Sequence, residues 1–101
     1  MKTFIARVDP DLSDLIPTFL ERKRRDARAI LSGVTVEPID FETVSRIAHN
    51  LKGEGGSYGL DVVSLYGAAI EAAARQHDVE AIRGYANELS AYLDSVEIKY
   101  E

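Results

Sequence analysis

Val79, Ile82, Ala86, Leu89, Leu93 and Val96 recur at spacings of three and four without a break. That interval returns side chains to one side of an α-helix. Two stripes of the same period precede it: Leu60, Val63, Gly67, Ile70 and Ala74, ending at Gln76-His77-Asp78, and before them Phe41, Val44, Ile47, Ala48 and Leu51. A further helix would turn Phe19, Leu20, Ala27, Ile30 and Leu31 inward and stop at Ser32-Gly33, a suitable C-terminal cap. An apolar stripe is unstable in water unless another covers it. Four such helices with short links predict an all-α fold, an antiparallel up-and-down four-helix bundle. Asp9-Pro10-Asp11-Leu12-Ser13 reads as a helix start and predicts a short extra N-terminal helix through Leu15 and Ile16. Pro17 then suits the first turn of the next helix or a kink. Residues 34–39 are β-branched and proline-bearing, and read as an extended connector.

At 101 residues, with 46% apolar and 29% charged side chains, the chain is expected to form one soluble domain over 1–101. Without cysteine there is no disulfide framework and no thiolate metal site, which fits a reducing cytoplasm. Arg7 and Asp9 interrupt any signal-like apolar run at the start, and no stretch has membrane-spanning length. A net charge of −5 argues against a nucleic-acid partner.

Chemistry is concentrated in His49-Asn50-Leu51-Lys52-Gly53-Glu54-Gly55-Gly56-Ser57-Tyr58-Gly59. On a helix that advances about 100° per residue, His49 falls roughly 140° from Val44, the middle of the apolar stripe, so the ring is expected in solvent. Lys52 lies one turn on, and Gly53 leaves open space beside them. Ser45 and Gly56 share that broad sector. Asp40 is placed to cap the helix start. Three glycines in four positions cost a helix about 1 kcal/mol each relative to alanine. Either a function favours them, or the helix ends near Gly53 in a loop.

His49-x-Leu51-Lys52-Gly53, with Gly59 ten residues after the histidine, resembles the signature of histidine-containing phosphotransfer (HPt) domains. Asp40-Phe41-Glu42, Val8-Asp9-Pro10-Asp11-Leu12 and the stretch from Leu60 to Ala74 extend the likeness from about Val8 to Val96. The resemblance implies a four-helix bundle whose exposed histidine carries a phosphoryl group, normally on Nε2. His49 would be the phosphoacceptor, Lys52 would hold the phosphoryl oxygens and Gly53 would leave room for them. Response-regulator receiver domains would exchange the group through an aspartate, and a hybrid histidine kinase is a further candidate partner. The resemblance implies no kinase activity and no cofactor of the domain's own, with Mg²⁺ on the receiver. It also implies a cytoplasmic monomer. The alternative is an adaptor that binds a receiver or other signalling protein without exchanging phosphate.

Gly56, Glu71 and Arg75 are carried as supporting positions. Several family members have a glutamine near position 71 that hydrogen-bonds around the histidine or its phosphate, so Glu71 is a departure. Its carboxylate could accept from the imidazole but would repel a phosphoryl group, which Arg75 could offset. The other reading of Glu71 and Arg75 is a solvated helix face with an i,i+4 ion pair. Arg22-Lys23-Arg24-Arg25 with Arg28 is either a docking patch or a solvated face whose long stems cover apolar surface. Glu54 reads as surface. His77 suits a helix end. The glycine-rich run lacks the Lys-Ser/Thr ending of a P-loop, and no metalloprotease HExxH motif is present.

Overall fold

A computed structural model describes residues 4–101. In order, its elements are β1 (Ile5–Val8), a 3-10 turn (Pro10–Leu12), α1 (Ile16–Gly33), α2 (Phe41–Glu54), a second 3-10 turn (Gly56–Tyr58), α3 (Asp61–Arg75), α4 (Val79–Ser95) and β2 (Glu97–Tyr100). The predicted four-helix bundle is the observed architecture. Helices adjacent in sequence are adjacent in space, and α4 closes the ring against α1. No described helix is long and apolar enough to cross a membrane.

The helix ends follow local chemistry. Asp40 accepts a hydrogen bond from the Thr43 amide at 3.1 Å and Asp78 from the Ala81 amide at 3.1 Å, so each carboxylate caps the helix after it. The Thr43 amide also holds the Asp40 carboxyl below its ordinary pKa. Pro17 sits in the first turn of α1, where its missing N–H costs nothing. α3 has no side-chain cap; instead Leu60 is fully buried before it and donates its amide to the Gly55 carbonyl at 2.8 Å. Gly59 makes that turn with φ +74°, a left-handed conformation, and a Cβ there would press to 3.4 Å from the Arg7 carbonyl oxygen.

The stripes meet inside the ring. Phe19, Ile30, Val44, Leu51, Leu60, Ile70, Ile82, Leu89 and Leu93 are all essentially inaccessible. Burying each such side chain contributes roughly 1.5–3 kcal/mol before chain entropy is set against it. Phe19 stacks on Tyr58 with ring centroids 4.1 Å apart, tying α1 to the second 3-10 turn.

The N-terminal segment departs from expectation. No separate short helix forms: Asp9 caps only the turn at Pro10–Leu12, and Ile16 already belongs to α1. Ahead of that turn, β1 pairs in parallel with β2, Ile5 opposite Glu97 and Val8 opposite Tyr100. The alternating burial of β1 places Ala6 and Val8 against the bundle. The connector at 34–39 is a series of turns and bends rather than an extended strand, with Val34 buried.

Candidate functional site

α2 and α3 approach so closely that only glycine fits at position 67. A Cβ there would lie 2.8 Å from the Ala48 carbonyl oxygen and 2.9 Å from the Leu51 Cβ. One turn along α3 from this contact stands Glu71, and next to Ala48 on α2 stands His49. The close crossing therefore delivers a carboxylate to the flank of the imidazole.

His49 Nδ1 lies 2.9 Å from Glu71 Oε2, with 70% of the histidine side chain exposed and 7% of the glutamate side chain. An ionised carboxylate only accepts. Nδ1 must then carry the proton and donate it to Glu71, which leaves the Nε2 lone pair free. The outward expectation for His49 agrees with this geometry. The other carboxylate oxygen, Oε1, faces two cations: Lys52 Nζ at 3.5 Å and Arg75 Nη2 at 3.6 Å. Burial pushes the Glu71 carboxyl up, but the His49 hydrogen bond and the charges of Arg75 and Lys52 outweigh it and leave the pKa below its ordinary value. Glu71 is thus ionised at neutral pH.

The reading of Glu71 as a solvated surface group is corrected: it is buried, and its environment is the imidazole and two cations. The i,i+4 pair with Arg75 is present. Together Glu71, Lys52 and Arg75 sum to one positive charge beside the ring. Lys52 and Arg75 have 51% and 70% of their side chains exposed, so both cations can reach toward an anion arriving at Nε2.

The three glycines separate by function. At Gly55 a Cβ would collide with the Ser64 amide at 2.6 Å and the Leu60 carbonyl at 2.8 Å, so packing demands it. At Gly53 nothing lies within 4 Å of a Cβ, so the fold makes no such demand. Gly56 does not share the helical sector of His49, because α2 ends at Glu54; its amide donates to Ser64 Oγ at 2.9 Å. The expected helical placement of Gly56 is corrected to a turn. His77 ends α3's trailing turn at φ 54° and stacks on Phe41, ring centroids 4.0 Å apart, away from this cluster.

The basic stretch on α1 divides the same way. Lys23 is 1% exposed. Its ammonium lies 3.0 Å from both Asp26 Oδ2 and Glu54 Oε1, and 5.3 Å from the Phe19 ring centroid. Glu54 also binds Arg22 at 3.2 Å and is half-buried. This network fastens the end of α2 to α1 and holds the turn carrying Lys52 and Gly53. Lys23 went unrecognised in the sequence because the partner that buries it, Glu54, is 31 residues away.

Compared with models of known protein families, the chain matches that of the Hpt domain over residues 3–98. No curated protein and no solved structure matches it.

Proposed function

The chain belongs to the Hpt domain family, whose members carry phosphoryl groups in phosphorelays, and from that premise we propose that it accepts and donates a phosphoryl group on His49 in exchange with receiver-domain aspartates. The observation that carries this reading is an exposed imidazole whose inner nitrogen is committed to a buried carboxylate. Nε2 attacks the phosphorus of a receiver aspartyl-phosphate. The new N–P bond forms as the P–O bond to the aspartate breaks, and the aspartate leaves as a carboxylate. The ring, still protonated at Nδ1, gains positive charge, which Glu71 balances at 2.9 Å. Lys52 and Arg75 move from Glu71 toward the phosphoryl oxygens. Phosphoryl transfer depends on in-line placement and charge neutralisation, which is what these groups offer. Donation runs the same steps in reverse.

In this proposal the Mg²⁺ and its carboxylates belong to the receiver. Gly53 leaves the approach to Nε2 open, and the domain works as a cytoplasmic monomer without kinase activity. The test is incubation with a receiver radiolabelled as its aspartyl-phosphate. Label should pass to the wild type and not to His49→Gln. Binding of the receiver without any label on the wild type would overturn phosphotransfer and leave the adaptor role.

A further inference from the structure

α3 and α4 leave a groove on a different face of the bundle from His49, which stands at the α2–α3 crossing. Val62, Leu65, Tyr66, Ala69 and Tyr85 line a cavity of about 300 Å³. Ala69 and Tyr85 also border a second cavity of about 230 Å³, which continues past Ala72, Ala73 and Ala81 to Gln76 and Asp78. The lining is apolar around Val62, Leu65, Tyr66 and Ala69 and turns polar toward Gln76 and Asp78. Leu65, at 69% exposure, is the most exposed large apolar side chain among the described residues, and Tyr85 is 38% exposed beside it. From Val62 to Gln76 the trough follows α3 for about 21 Å at 1.5 Å per residue.

Its charge is one-sided. α3 and α4 contain two cations, Arg75 and Arg83. Both are turned elsewhere: Arg75 toward Glu71 at 3.6 Å, and Arg83 to the Val34 carbonyl at 3.1 Å. Asp78 lines one end of the groove. The Glu88 carboxylate lies close enough to Tyr66 to add to the rise that burial gives its hydroxyl pKa. Neither acid has an ion-pair partner among the described residues, whereas Asp94, further along α4, is held by Arg24.

We propose that this groove binds an amphipathic helix of a partner protein, about four turns long, with apolar anchors along one face and lysine or arginine at its flanks. Apolar side chains at i, i+3, i+4 and i+7 would fill the trough, as in other helix-in-groove contacts. The flanking cations would meet Asp78 and Glu88. On the α3 wheel, Leu65, Ala69, Ala72 and Gln76 are centred about 130° from Glu71. The groove and His49 can therefore be occupied at once. A partner held here would raise the effective concentration of anything tethered to it at the imidazole, without touching the ring.

The test uses the full chain and two designed peptides of about 16 residues, identical in their Leu and Ile anchors, one flanked by lysines and one by glutamates. Binding is followed by amide chemical-shift mapping. The lysine peptide should saturate, with shifts at Val62, Leu65, Ala69 and Tyr85, and should bind at least about tenfold more tightly than the glutamate peptide at low salt. Leu65→Asp should abolish binding while helical circular dichroism stays unchanged, since that side chain stands in solvent. Glu88→Lys should invert the preference between the peptides. Three results would each overturn the proposal: equal affinity for the two peptides, shifts on α1 and α2 instead, or self-association of the protein alone that Leu65→Asp removes.

Discussion

Glu71 Oε2 lies 2.9 Å from His49 Nδ1 and accepts its hydrogen bond from a site almost closed to solvent, while the ring it grips is open to it. The two requirements conflict on a single element, because a group that fixes an exposed ring must itself be fixed. Placing the anchor on α3 and the ring on α2 resolves that conflict.

Replacing Glu71 separates orientation from charge. Glu71→Gln keeps an acceptor for Nδ1–H but loses the negative charge that balances the phosphorylated ring. Transfer from a phosphorylated receiver should slow about tenfold, equivalent to about 1.4 kcal/mol. Glu71→Ala should slow it further and leave the ring tautomer mixed, as imidazole ¹⁵N shifts would report. Unchanged ring shifts in Glu71→Ala would show that the carboxylate does not set the tautomer.

The same glutamate gives a pH signature. Its pKa is depressed in the folded state from an ordinary 4.5. The unfolded chain therefore takes up its proton first as pH falls. The stabilisation is complete above about 4.5 and is lost as pH drops through the lower folded-state value. The melting-temperature advantage of wild type over Glu71→Gln should shrink as pH falls below about 4.5. An advantage that persisted undiminished well below that pH would contradict the ionised state assigned here.

Gly53 and its neighbours predict opposite movements of stability and activity. Gly53→Ala meets no side chain or backbone and should stabilise the domain by roughly 0.5–1 kcal/mol through helix propensity. Gly53→Val should fold as well, yet slow transfer because its branches occupy the approach to Nε2. Thermal melts and label transfer on the same samples decide the point. A Gly53→Val protein with wild-type transfer would leave the glycine without a functional reason.

Lys52→Ala and Arg75→Ala should each leave the fold intact, both side chains being largely in solvent. Each would lose the charged contact proposed for the phosphoryl oxygens, so transfer should slow or the phosphorylated form decay faster by about 10–100-fold. The lifetime of labelled His49 in each variant measures this directly.

Lys23 makes a prediction about coupling. Asp26→Ala or Glu54→Ala alone leaves the buried ammonium one carboxylate, and each should cost about 1 kcal/mol. The double variant strands the charge and should cost about 3–5 kcal/mol, more than the sum. Additive losses in denaturant unfolding would mean that the two acids act independently.

The helices were legible because their stripes are long: five or six apolar positions at one period leave little choice. The β ribbon was not, because each strand has four residues and its partner lies at the other end of the chain. Alternation in Ile5-Ala6-Arg7-Val8 was its one local trace. His49, Lys52 and Gly53 could be placed from spacing within α2 alone. Glu71 could not, since its burial depends on how near α3 comes to α2, and spacing on α3 gave it the same standing as Arg75. Lys23 was hidden for the same reason inside a run of cations.

Gly67 meets neither the imidazole nor anything a visiting protein would touch. Yet the gap between two backbones there is the ruler to which Glu71 is cut. An aspartate at 71 would fall a methylene short of the ring, and an alanine at 67 would push the helices apart and have the same effect with the glutamate still in place. The missing methyl and the long acid are one choice made at two positions, so a change at either has to be answered at the other.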